Sequence, residues 1–162
     1  MAQTYIPIAT STLGSSASNI TFSSIPGTYT DLVLRFSGLI TSGTDNLAIQ
    51  VNSDTGSNYS DTYMYGNGTS ATPGYDNGST YFLANPLNAN YPAFYIMNFF
   101  SYANTGVGKM ALSQSAADKN GSGETRSIVQ FWNSLTAITS IKIFAASSAS
   151  FAAGTTATLW GI

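Results

Sequence analysis

Cysteine and histidine are both absent from this chain of 162 residues and 17.0 kDa, and each absence removes a class of chemistry. Without histidine there is no imidazole to shuttle protons near neutral pH, to serve a serine nucleophile as base, or to ligate haem. Without cysteine there is no thiol nucleophile, no disulfide and no zinc site of the usual ligand set. Charge is scarce as well. Five Lys and Arg and seven Asp and Glu make up 7% of the residues, against about 25% in an ordinary soluble protein. What is present is core-building material, 43% hydrophobic and 13% aromatic, so the chain is expected to fold rather than stay disordered. Its length predicts a single domain over residues 1–162.

A net charge of −2 and a pI near 4.5 offer no field to a phosphate backbone. The five cations, Arg35, Lys109, Lys119, Arg126 and Lys142, stand singly along the chain, so nucleic acid is not an expected partner. A surface with so little self-repulsion suits permanent packing against copies of itself or another protein. The opening residues Met-Ala-Gln-Thr-Tyr-Ile-Pro-Ile carry neither the basic start nor the unbroken apolar run of a secretory signal. The densest apolar segment, residues 91–102, is interrupted by Pro92, Asn98 and Ser101 and is too short for a spanning helix, so no membrane is expected.

Ser and Thr supply about a quarter of the chain, with many Gly and Asn besides. Such side chains compete for backbone hydrogen bonds and favour turns and strands over helix. Apolar residues recur with a period of two. Leu32, Leu34 and Phe36 alternate with Val33, Arg35 and Ser37, and Leu47, Ile49 and Val51 alternate with Ala48, Gln50 and Asn52. The same pattern marks half-buried strands at Ile20/Phe22, Met110/Leu112, Val129/Phe131, Ile141/Ile143 and residues 156–162, and at Phe94/Ile96 with Tyr95, Met97 and Phe99 opposite. Turn chemistry separates the runs at Pro26-Gly27, Ser42-Gly43, Asn77-Gly78, Asn120-Gly121 and elsewhere. The prediction is an all-β fold, an antiparallel, jelly-roll-like β-sandwich of about eight to ten strands with little or no helix. Residues 65–90 read as a long connection with at most one strand at 79–83, and residues 116–124 as an exposed hairpin tip.

Candidate chemistry is sparse. Asp54-Thr55-Gly56 matches the tripeptide of aspartic proteases, but Ser57-Asn58-Tyr59-Ser60-Asp61 follows it in place of an apolar strand, and a turn accounts for the same residues. Asn52, Asp54, Asn58 and Asp61 could ligate a structural calcium or form a solvated turn; the spacing departs from the usual calcium loop. Asp31, Asp45, Asp54, Asp61, Asp76, Asp118 and Glu124 are few for a glycosidase pair and lie mostly beside turns. Serine is abundant, yet neither a Gly-x-Ser-x-Gly elbow nor a Ser-x-x-Lys motif occurs. No enzymatic activity and no cofactor is expected. Six tyrosines, Tyr59, Tyr63, Tyr65, Tyr75, Tyr81 and Tyr91, crowd the middle third among Ser, Gly and Asn. They form a candidate contact surface for protein or glycan, or else cap the core with their hydroxyls in water.

Three strings carry a resemblance: Asn19-Ile-Thr-Phe-Ser-Ser-Ile-Pro-Gly-Thr-Tyr-Thr-Asp-Leu-Val-Leu, then Val51-Asn-Ser-Asp-Thr-Gly-Ser-Asn-Tyr-Ser, and the ending Thr156-Ala-Thr-Leu-Trp-Gly-Ile. In this order they resemble a family of small β-rich virion proteins of tailed bacteriophages. Ser53 stands where that family usually has Gly, and Trp160 where it usually has Tyr. The resemblance implies a structural component of the particle and brings no catalytic residues with it. It implies, first, a capsid decoration (cement) protein on the outer surface of the head, packed as a homotrimer against the major capsid protein. The alternative is a tail or tail-fibre module that meets tail proteins or host glycan. No stem, coiled coil or repeat accompanies the strings, which suits the head better.

Overall fold

Alternating side chains punctuated by turn residues build strands here, and the turns decide how the strands pair. The computed structural model describes residues 5–162 apart from the side chain of Asn85, and among them every regular element is a strand. Residues 1–4, part of the start read above as no secretory signal, lie outside the described residues. The larger of two sheets has eight strands, in spatial order β1 (Ile6–Thr12), β12 (Thr156–Gly161), β3 (Leu32–Gly38), β8 (Ala93–Phe100), β9 (Lys109–Ala117), β10 (Glu124–Trp132), β5 (Tyr59–Gly66) and β6 (Ala71–Ser79). The smaller has four: β2 (Asn19–Phe22), β11 (Ile141–Ala145), β4 (Thr44–Val51) and β7 (Phe82–Asn88). Every pairing is antiparallel, and one core spans both sheets, filled by residues such as Leu34, Phe36, Ile49, Phe82, Tyr95, Phe99, Ile143 and Leu159. This is the all-β, jelly-roll-like sandwich that the alternation predicts.

Two expectations need correction. Residues 65–90 are not a long connection: they hold the end of β5 and the whole of β6 and β7, which raises the count to twelve strands among the described residues. The signal was weak because β6 is an edge strand, where Pro73, Gly74 and Gly78 are tolerated. The second concerns direction. Met110, Leu112, Val129 and Phe131 do alternate on strands, but the inward set on β9 and β10 is the other one, with Lys109, Ala111, Ser113, Ser115, Ile128, Gln130 and Trp132 buried. Most polar members of that inner set are tied down, the Ser115 hydroxyl being the one left without a partner among the described residues. The Gln130 side-chain oxygen accepts from the Tyr95 hydroxyl (3.1 Å) and the Ser113 hydroxyl (3.0 Å), and its amide donates to the Leu83 carbonyl of β7 (3.3 Å). A buried polar group so paired costs little.

Two of the three strings meet at a structural joint, and the middle one forms a turn of its own. β3 and β12 pair along their lengths, and the last residue closes the seam: Ile162 donates to the Asp31 carbonyl and its own carbonyl accepts from Thr30 and Asp31. The Tyr29 ring lies flat on Gly161, where a Cβ would overlap it. In the middle string, Asp54 N–H donates to the Val51 carbonyl (2.9 Å), with Asn52 at φ 51° and Ser53 at φ 55°. Two successive left-handed residues closed by that bond are a type I′ turn, which prefers Asn-Gly. Glycine would take the second left-handed position without strain, whereas Ser53 holds it under strain. Ser53→Gly is expected to stabilise the fold by about 1 kcal/mol. Gly161→Ala is expected to destabilise it by about 1–3 kcal/mol through overpacking against Tyr29. Urea denaturation of the three proteins checks both signs.

Candidate interaction surface

The outward set of the large sheet forms one continuous face, because antiparallel register aligns alternate residues into rows across the strands. One row runs Trp160, Val33, Asn98, Leu112, Val129, Thr62, Tyr75. Beside it lie Thr158, Arg35, Ile96, Gln114, Ser127, Met64 and Pro73, and then Thr156, Ser37, Phe94, Ala116, Thr125, Gly66 and Ala71. On the far side stand Phe100, Met110, Phe131 and Ser60. Arg35 is the single charged residue in these rows. Large apolar side chains lie open to solvent: Phe94 (47%), Phe100 (44%), Met110 (47%), Leu112 (38%), Val129 (44%) and Met64 (58%). A contiguous apolar patch of this kind is rare on a monomer and makes this face the candidate contact surface. Small residues hollow one end of the face. Gly66, Ala71, Ala116, Thr125 and Ser127 floor a depression of about 500 Å³ rimmed by Phe94, Ile96 and Met64.

The six tyrosines do not share this face. Tyr59 is core: 1% exposed, stacked 6.4 Å from Trp132 and edge-on to Phe82 at 4.9 Å, its hydroxyl donating to the Val51 and Asp54 carbonyls. Burial pushes that hydroxyl up to about 12. Tyr63 and Tyr65 lie half-buried on the inner side of β5, with the Arg126 guanidinium 5.6 and 5.1 Å from their ring centres. Arg126 also pairs with Glu124. Tyr81 packs edge-on to Phe144 at the smaller sheet, and Tyr91 sits in the turn before β8. Tyr75 alone belongs to the outer rows, 77% exposed at their edge. Outward-facing apolar residues on β8, β9, β10 and β5 were missed because alternation says which residues share a side and not which side is covered.

The acids are spent on the fold. Asp54 accepts from the Trp132 indole (2.7 Å), the Asn58 amide (2.9 Å) and Gly56 N–H (2.8 Å). Burial alone would raise this carboxyl, but those three donors outweigh it and hold it below the usual range. The Asn52 oxygen accepts from Thr139 and Ser140 N–H, so the oxygens considered for calcium brace two turns, while Asp61 lies elsewhere, inside the large sheet. Asp45 is likewise held low: donation from Ser147, Asn46 and Ala149 N–H outweighs its burial. Asp31 accepts from Ser101 N–H and Asp118 from Gly121 N–H at the 116–124 tip, a loop as expected. Among the described residues no group of three or more Asp and Glu converges to hold a metal ion.

Against this geometry the comparisons with known proteins add little. By sequence, no family model and no curated protein matches the chain. By shape, it is similar to the galectin LEC-6 of Caenorhabditis elegans, at 11% identity, with 93% of this chain and 94% of that one covered and a TM-score of 0.41. An alginate lyase, Aly36B, aligns at 10% identity over 93% of this chain and 78% of its own, with a TM-score of 0.30. Likeness at this level carries no argument about ligand or activity.

Asp61 sets a measurable pH dependence. It is 3% exposed, one oxygen accepts from Leu83 N–H at 3.2 Å, and the other has no partner among the described residues. Burial pushes its carboxyl up to about 7, outweighing the bond from Leu83, and Asp76 across the strand pair adds to the rise. A raised folded value means its contribution is fully present below the unfolded value of 3.8 and is lost as pH rises through about 7. Asp45 and Asp54 have the opposite sign, contributing above 3.8 and failing as pH falls through their lowered values. Thermal melts are therefore expected to peak at about pH 4 and to decline from there up to about pH 7. Asp61→Asn is expected to remove most of the loss in Tm between pH 5 and 8 while leaving the acid limb in place.

Proposed function

We propose that the chain is a non-enzymatic structural protein of a tailed bacteriophage particle, a decoration protein on the outside of the head that works by adhesion. The observation that carries this reading is the outer face of the large sheet, four strands wide in apolar residues, with Arg35 the single charge in its rows and Arg126 reaching the depression at one end. The three strings that resemble virion proteins support it from another direction. Their residues serve a seam, a type I′ turn and a ring-on-glycine contact, all of them ways of making the body rigid. A rigid block with an adhesive side stabilises a shell by mass action, since each added interface favours the closed assembly over its dissociated parts.

Quantitative gel analysis of purified particles tests the placement. Hundreds of copies per particle are expected for a head protein, whereas a few to a few dozen would move it to the tail. Particles lacking it are expected to lose their contents at lower temperature than complete ones. Equal resistance to heat and dilution would remove the stabilising role.

A further inference from the structure

The outer face has one end of bulky residues and one hollow end, and its edges are closed to other strands. Both facts bear on what covers it. Three of the five prolines stand in edge strands, Pro7 in β1, Pro73 in β6 and Pro86 in β7, and the fourth edge, β2, is four residues long. Proline offers no N–H to an incoming strand, and a short edge offers few, so growth of either sheet by strand addition is disfavoured. Association is left to faces. Along the strands of the outer face, Phe100, Met110 and Phe131 occupy one end, and Phe94, Ala116, Thr125, Gly66 and Ala71 occupy the other, where small residues on β9, β10, β5 and β6 leave the depression beside Phe94.

We infer that this face is the seat of a second copy of the chain, packed sheet on sheet about a twofold axis that runs across the strands. This rests on the adhesive reading above in taking the face as a contact surface, but gives that face to a second copy, so that the pair meets the particle through its remaining surface. A rotation about such an axis keeps each strand over its own copy and exchanges the two ends. Met110 then lies over the partner's Ala116 and Phe131 over the partner's Thr125, large upon small at the ends of both central strands, while Leu112 meets the partner's Gln114, of similar size, and Phe100 on β8 meets the partner's Phe94, ring upon ring at the margin. Tyr75 comes over the partner's Pro73 at the margin. The two sheets' own twist rotates this correspondence by about 30° without changing which end meets which. With strands about 4.8 Å apart, β8, β9, β10, β5 and β6 span roughly 24 Å by 27 Å, about 650 Å² per copy, which reaches the range of stable interfaces. Near-absence of charge means that like meets like without repulsion, and self-complementarity of one patch is what a twofold pair requires. A twofold pair also differs in order from the trimer that the resemblance implies.

Sedimentation equilibrium of the full chain decides, with circular dichroism as the check on folding. The wild-type protein is expected at twice 17.0 kDa. Leu112→Lys and Leu112→Glu, each alone, place like charges near the axis and are expected to sediment as folded monomers. Mixed one to one they are expected to restore the pair, which a merely unfolded variant would not do. Thr21→Lys, an exposed position on the smaller sheet, is expected to leave the pair intact. A monomeric or trimeric wild-type protein, or a pair indifferent to both Leu112 variants, overturns the inference. A monomer that still decorates particles leaves the function standing with a different occupant on the face; a pair that joins no particle fails the function alone.

Discussion

Side chains on a strand point alternately to opposite sides, so a sheet that buries one side must present the other to something. In this molecule four strands cover the inner side of eight, and the chain has only twelve charged residues with which to dress everything left outside. Most of those twelve are already committed. Asp31, Asp45, Asp54, Asp61, Asp118 and Glu124 accept from the chain's own N–H groups, and Lys109 donates to the Asn104 and Val107 carbonyls. The outer side of the large sheet is consequently left to Phe, Met, Leu, Val, Thr and Ser. Its character follows from the composition as much as from the topology.

The inner side pays for this arrangement with polarity. Ser113, Ser115 and Gln130 are buried where a simple sandwich would place aliphatic residues, and the bonds linking Gln130 to Tyr95, Ser113 and Leu83 also tie β7 to the larger sheet. Bulky residues from β8 and β7, Tyr95, Met97, Phe99 and Phe82, fill the space that small side chains on β9 leave open. An inward polar set beside an outward apolar one is costly for an isolated monomer. It becomes economical once the outer side is covered, which is why the orientation of β9 and β10 supports an assembled state.

Much of the fold was legible. Period-two alternation located eight strands, and Asn120-Gly121, at φ 58° and 98°, turns the hairpin tip where turn chemistry placed it. The strings at residues 19–34, 51–60 and 156–162 were legible as a group before their joints were known, and Tyr29 on Gly161 gives two of them a common physical cause. Less could be read where a residue's meaning depends on a distant neighbour. Tyr63 and Tyr75 are twelve positions apart, and nothing in their own residue type tells them apart, yet one lies half-buried on the inner side of β5 and the other outside β6. Strand β6 escaped notice because proline and glycine are disfavoured in strands except at an edge, and edges are defined by the finished sheet. The exposed apolar face needed the same knowledge: Leu112 and Ile143 are both aliphatic members of alternating runs, and only the finished pair of sheets makes one exposed and the other core.

Methionine provides a direct probe of whether that face is covered in the working assembly. Met64 and Met110 stand on it, 58% and 47% exposed, while Met97 is fully buried in the core and serves as an internal reference. Peroxide converts an accessible thioether to sulfoxide, and mass spectrometry of the peptides reads the extent at each site. In the assembled state, Met110 is expected to be protected nearly as well as Met97, and to become reactive when the assembly is dissociated without unfolding. Oxidation of Met64 and Met110 at the same rate in assembled and dissociated protein would contradict the account, because it would leave the outer sheet face open to water.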